Sequence, residues 1–129
     1  MSANILIVDD SATTRALIKR SLTIAGVEVG QFFEAPNGRV ALEMIATHAI
    51  DLALVDLHMP EMSGVELAHQ LLQDPVKSTI PIAIVSAEPS AARILELKRA
   101  GVRGYLRKPF TPESIRDLVL PLLKVPHVC

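Results

Sequence analysis

Three stretches of this chain are apolar at every position and stop on a polar residue. Ile5-Leu6-Ile7-Val8 runs into Asp9, Leu52-Ala53-Leu54-Val55 into Asp56, and Ile82-Ala83-Ile84-Val85 into Ser86. Each is too short for a helix and lacks polar alternation, so each predicts a strand buried on both faces. Elsewhere the apolar period lengthens to that of a helix. Thr14, Leu17, Ile18, Ser21, Leu22 and Ala25 share one face of a segment from Ala12 to Ala25, with Ser11 as N-cap and Gly26 as C-cap. Val40, Ala41, Met44 and Ile45 after Asn37-Gly38 give a second stripe, and Gly64, Leu67, Ala68 and Leu71 before Asp74-Pro75 a third. Ile94, Leu95 and Leu97 predict a fourth helix closed near Gly101. Thr111 as N-cap and Pro112 at the first helical position open a fifth, with Ile115, Leu118, Val119, Leu122 and Leu123 buried, and Pro121 should kink it or end it early. Two weaker strands complete the series. One spans Glu28 to Glu34 and is interrupted by Gly30; the other is Gly104-Tyr105-Leu106-Arg107.

Strand and helix thus alternate five times, with no linker, low-complexity tract or internal repeat. Right-handed crossovers constrain such an α/β chain to a doubly wound, five-stranded parallel sheet covered by five helices. Ligands of such sheets bind outside the carboxyl ends of the strands. Asp9, Asp10, Asp56, Ser86 and Lys108 all lie at or just past those ends, so this topology lets them converge.

Composition agrees with one domain over residues 1–129, its core running from about 5 to 123. A chain of 129 residues can bury roughly two thirds of its unfolded surface in a single core. Half the residues are hydrophobic but only 3% are aromatic, so Ala, Val, Ile and Leu must build that core. The net charge of −1 comes from interspersed acids and bases, which argues against nucleic-acid binding. The apolar runs are far shorter than the roughly 18 residues of a membrane span, and no positive region precedes the first of them. A cytoplasmic protein without membrane insertion is expected. Cys129, the sole cysteine, excludes a disulfide framework or a thiolate metal site within the chain and reads as a terminal thiol.

Three converging carboxylates repel one another unless a cation joins them. The available ligands are oxygens, which favours a hard cation: Mg²⁺ first, with Mn²⁺ or Ca²⁺ after it. Magnesium bound by one or two carboxylates suits phosphoryl chemistry, and a carboxylate can itself become the nucleophile that forms an aspartyl-phosphate. Lys108 would then neutralise the phosphoryl oxygens and the Ser86 hydroxyl would donate to one of them. Taken singly each residue has a plainer role: Asp10 or Ser11 as a helix cap, Ser86 in a turn, Lys108 as a solvated surface lysine. Their shared placement at strand ends is what favours a site.

With Asp9-Asp10 after the first strand, Asp56 followed by Met59-Pro60 and Gly64, Ser86-Ala87 after the fourth strand, and Lys108-Pro109-Phe110, the chain resembles the receiver domain of bacterial two-component response regulators, of the chemotaxis type. The resemblance covers about Ile5 to Leu123. It implies a flavodoxin-like sheet of order 2-1-3-4-5 and a phosphorylated signalling protein, not an enzyme of metabolism. Asp56 would accept a phosphoryl group from a histidine kinase or histidine phosphotransfer protein. Asp10, Asp56 and the main-chain carbonyl of His58 would bind Mg²⁺, with Asp9 acting largely through a bridging water. Ser86 and Lys108 would contact the phosphoryl group, and Lys108-Pro109 would be a cis peptide. Tyr105 would turn inward with Ser86 as the switch, altering the face of the fourth helix, fifth strand and fifth helix. His58 and Glu88 would tune the lifetime of the phosphoryl group. A separate downstream protein would read that face, with the chain a monomer or a phosphorylation-dependent dimer; a relay intermediate or sink, or the receiver part of a longer regulator, is the alternative.

Two rivals share parts of this pattern. A haloacid-dehalogenase-type phosphatase also uses a strand-end aspartate and Mg²⁺, but needs an acid two residues later, where this chain has His58. A flavodoxin-like electron carrier would want a hydroxyl-rich phosphate loop and flavin-stacking aromatics, and this chain has no Trp and one Tyr.

Overall fold

A computed structural model describes residues 3–59, 62–75, 77–87 and 90–123. Pro60, Glu88 and Cys129, singled out above, lie outside the described residues. Strands β1 (Ala3–Val8), β2 (Val29–Ala35), β3 (Leu52–Val55), β4 (Ile82–Ser86) and β5 (Gly104–Arg107) alternate with helices α1 (Ala12–Ile24), α2 (Gly38–Thr47), α3 (Gly64–Gln73), α4 (Ala91–Ala100) and α5 (Pro112–Leu123). The strands form one parallel sheet in the order β2-β1-β3-β4-β5, as the resemblance implied.

The unbroken apolar runs occupy the interior of that sheet because both faces are covered. On one face Leu6, Val8, Ala53, Val55, Ile82 and Ile84 pack with Ala41, Ile45, Leu67, Ala68, Leu71 and Leu97 from α2, α3 and α4. On the other Ile5, Ile7, Leu52, Leu54, Ala83 and Val85 pack with Ile18, Leu22, Ile115 and Val119 from α1 and α5. Alternate residues of each strand serve opposite cores, which is why no polar residue interrupts the runs. Phe32 and Phe33 follow the same rule, one against each core. Between Ala3 and Asn4 the register shifts by one, from Val29 to Gln31, leaving Gly30 as the extra residue of β2.

Local signals set most boundaries. Ser11, Asn37, Ser63 and Ser90 each accept a main-chain N–H from the first turn of the helix they cap. At the end of α1 the Val27 N–H reaches back to the Leu22 carbonyl and the Gly26 N–H to that of Thr23, with Gly26 at φ +80 between them. This paired closure needs a left-handed residue, which glycine supplies without steric cost. One expectation is corrected and one is narrowed. Leu17, assigned to the buried face of α1, is 51% exposed, because α1 turns Ile18 and Leu22 to the sheet and leaves Leu17 and Ile24 outside. Helix α5 runs through Pro121 to Leu123, the last described residue, so the proline does not end the helix before that point.

Two contacts position the strand ends. Gly64 opens α3 with its N–H on the Leu57 carbonyl at 3.1 Å, and a side chain there would collide with the main-chain carbonyl of Asp56. Between α1 and β2, Glu34 accepts Lys19 Nζ at 2.6 Å and Arg15 Nε at 2.9 Å. The Lys19 ammonium holds the Glu34 carboxyl below its ordinary value of 4.5; burial opposes this and Arg15 adds to it.

Two outcomes are expected. Gly64→Ala should destabilise the fold by roughly 1–3 kcal/mol, the usual cost of forcing atoms into packed backbone, read from urea denaturation. A lowered folded-state pKa means that the Glu34 contribution is complete above the unfolded value and fades as pH falls through the folded one. The stability advantage of the natural chain over Glu34→Gln should therefore be present at neutral pH and shrink in acid, whereas an equal gap at both would contradict the assignment.

Candidate functional site

The carboxyl ends of β1, β3, β4 and the segment after β5 deliver one side chain or more each to a single edge. Asp9 follows β1, its N–H bonded to the Ala35 carbonyl at 3.1 Å, and Asp56 follows β3, its N–H on the Val8 carbonyl at 2.9 Å. The ladder therefore continues into both aspartates and fixes their main chains side by side. Asp9, Asp10 and Asp56 each bring a carboxylate oxygen within 4.8 Å of the others. Asp9 and Asp56 are buried, at 2% and 7% exposure, while Asp10 faces outward.

Lys108 reaches this cluster from just beyond β5. Its Nζ is 2.7 Å from Asp9 Oδ2 and 3.7 Å from Asp56 Oδ2. The ammonium thus pairs first with Asp9 and lies within Coulombic reach of Asp56. One lysine against three carboxylates leaves the edge negative, and buried carboxylates without compensation are costly. The donor set is entirely oxygen, so the arrangement fits a divalent hard cation. The Lys108-Pro109 peptide is cis, as the resemblance implied, and the Lys108 N–H donates to the Ser86 carbonyl at 3.0 Å.

Ser86 is fully buried, and its hydroxyl has no hydrogen-bond partner among the described residues. An orphan buried hydroxyl carries a desolvation penalty unless something enters to accept its proton. Tyr105 stands beside it, half-buried, its hydroxyl donating to the Ser86 carbonyl at 3.4 Å. His58, in the loop after Asp56, is exposed. Glu88 lies outside the described residues.

The capping question is settled by geometry. Ser11, not Asp10, caps α1, with its Oγ accepting the Thr14 N–H at 3.2 Å. That leaves the Asp10 carboxylate to the acidic cluster. One neighbour went unnoticed in the sequence: Arg15 donates from Nη1 to the Asp9 carbonyl at 2.6 Å. Its signal was an arginine and a lysine one turn apart on α1, at 15 and 19, opposite Glu34 of β2. Without the strand pairing no sequence rule joins residues so separated.

Known proteins carry the same framework. Residues 5–120 match the family model of the response regulator receiver domain. The chain is 35% identical over 113 residues to the chemotaxis protein CheY-3 of Vibrio cholerae, which spans 88% of this chain and 85% of that protein. It is 36% identical over 115 residues to the chemotaxis protein CheY of Pseudomonas aeruginosa, with 89% and 91% covered. The solved structure of the chemotaxis response regulator CheY4 of Vibrio cholerae superposes with a TM-score of 0.82 at 31% identity, over 95% of this chain and all of that one. With sequence, fold and an acidic strand-end cluster in agreement, the chain belongs to the response regulator receiver domain family.

Proposed function

We propose that the chain is a phosphoacceptor switch in two-component signalling, with residues from about 5 to 123 as a single receiver unit and Asp56 as the acceptor. The observation that carries this reading is the company of Asp56: two further carboxylates and a lysine at 3.7 Å; at the end of the neighbouring strand β4 stands a buried hydroxyl with no partner among the described residues. An Asp56 carboxylate oxygen attacks phosphorus. A new P–O bond forms as the P–N bond of a donor phosphohistidine breaks, and the departing imidazole takes a proton from solvent. Water reverses the state by attacking phosphorus, which returns the Asp56 carboxylate and inorganic phosphate. His58 would tune the rate of that step, and Glu88, outside the described residues, is assigned the same role by the family resemblance.

Asp9, Asp10, Asp56 and the main-chain carbonyl of His58 would hold Mg²⁺, or Mn²⁺ in its place. The ion would supply charge neutralisation and a template for the phosphoryl oxygens. Lys108, 3.7 Å from Asp56 Oδ2, would supply a second positive charge and move its principal contact from Asp9 towards the phosphoryl group. Ser86 then donates the hydroxyl proton that now lacks an acceptor. As it is drawn in, Tyr105 follows, and the surface of α4, β5 and α5 shifts population. A histidine kinase or histidine phosphotransfer protein would be the donor, and a separate protein would read the altered surface. Among the described residues no helix is long and apolar enough to cross a membrane.

The direct test is mass spectrometry of the intact chain with acetyl phosphate and Mg²⁺. One added phosphoryl mass is expected, and neither Asp56→Asn nor a chelated sample should gain it; phosphorylation that persists in Asp56→Asn would overturn the assignment. A second outcome follows from the unpaired hydroxyl. Ser86→Ala should fold at least as stably, by up to about 1 kcal/mol, since it removes a buried group with no partner. Phosphorylated Ser86→Ala should nevertheless lose the shift of the Tyr105 ring resonances seen in the natural chain, and Tyr105 is the only tyrosine.

A further inference from the structure

Arg15 lies in the first half of α1, outside the residues assigned to the chemistry, yet it grips one of them. Its Nη1 donates to the Asp9 main-chain carbonyl at 2.6 Å while its Nε donates to Glu34 Oε1 at 2.9 Å. Glu34 pairs in register with Ile7 of β1 and is held on its other oxygen by Lys19 at 2.6 Å. The Arg15 side chain is only 15% exposed. A planar guanidinium with two anchored nitrogens has little freedom left, so the fork ties the turn after β1 to the neighbouring strand.

That turn decides where the Asp9 carboxylate points. Oδ1 accepts the Ser11 N–H at 2.9 Å and Oδ2 accepts Lys108 Nζ at 2.7 Å. Both bonds require the Asp9 main chain to follow one path just as it leaves the sheet. Arg15 supplies a charged donor to the carbonyl at that point. We propose that Arg15 is a positioning residue of the acidic site, clamping the Asp9 main chain against Glu34 and so presenting the Asp9 carboxylate to the divalent cation and to Lys108. The cation part of this statement rests on the function proposed above.

Two simple alternatives predict something different. If Arg15 acted only through its charge, removing a cation beside a cation site would tighten metal binding. If Arg15 served only to pair Glu34, Lys19 would matter as much, since it pairs the same carboxylate and carries the same charge without touching Asp9.

The test uses the whole chain as the natural protein, Arg15→Met and Lys19→Met. Two quantities are measured: Mg²⁺ affinity by calorimetry, and hydrogen exchange of the Ser11 amide in the metal-free state. Arg15→Met should bind Mg²⁺ about tenfold more weakly, the lower end of what loss of a supporting hydrogen bond costs a metal ligand. Its Ser11 amide should exchange faster while the amide of Leu54 in β3 stays protected, and Lys19→Met should stay close to the natural chain in both. Equal or tighter Mg²⁺ binding by Arg15→Met, or an equal loss in Lys19→Met, would overturn the proposal. Should Arg15→Met not fold, Glu34→Gln keeps the shape while loosening the guanidinium; weaker Mg²⁺ binding supports the proposal and unchanged binding overturns it. If the natural chain binds no Mg²⁺, the cation assignment falls by itself. The Ser11 amide still decides the role of Arg15: faster exchange in Arg15→Met upholds the clamp on Asp9, and unchanged exchange removes it.

Discussion

The pairing of Lys108 with a buried Asp9, at 2.7 Å, is the interaction on which the acidic edge depends. Asp9 is 2% exposed, and burying a carboxylate to that depth is costly without a partner. The lysine comes from the far end of the chain, 99 residues away in sequence, so the pair closes the sheet edge across β1, β3 and β4. It also holds the site in readiness. An ammonium that rests between two carboxylates can be recruited by a new anion at Asp56 without a large movement, because the 3.7 Å separation is already within Coulombic range.

The fold accounts for this closeness without special devices. The main-chain bonds from Asp9 to Ala35 and from Asp56 to Val8 extend the ladder one residue past the apolar runs. Each first polar residue is therefore held by the sheet that precedes it. The helices impose a second constraint. Gly64 must approach the Asp56 carbonyl closely, which leaves room for no side chain at the start of α3. The loop after Asp56 is thereby pinned where it leaves the strand and again where Met62 accepts the Gly38 N–H at 3.1 Å. A site that binds and releases a small group gains precision from such rigid supports, while the unpaired Ser86 hydroxyl remains the place where a change of state is registered.

Helix α1 serves both structure and site. Its inner face supplies Ile18 and Leu22 to the core, and one edge sends Arg15 and Lys19 to Glu34. The residues left outside include Leu17 and Ile24. By period alone Leu17 falls on the inward stripe, because the apolar face of α1 is broad in sequence. Only one arc of it can meet the sheet, and that arc is the one carrying Ile18 and Leu22.

From the residues alone, the strand and helix alternation, the two-sided burial of the three apolar runs and the polar residue ending each run could all be read, because these depend on local period and capping. Asp9, Asp10, Asp56, Ser86 and Lys108 could be placed at strand ends for the same reason. Their distances could not, since sequence spacing carries no information on which strands are neighbours; the order 2-1-3-4-5 came from the resemblance. The tertiary structure decided that Lys108 bonds Asp9 before Asp56, that Ser11 caps α1 and leaves Asp10 to the cluster, that the Ser86 hydroxyl is buried with no partner among the described residues, and that Arg15 holds the Asp9 carbonyl. Each of these is a contact between segments remote in sequence or a choice between two local geometries. Such facts are settled by packing and charge compensation in three dimensions, which no pattern along the chain encodes.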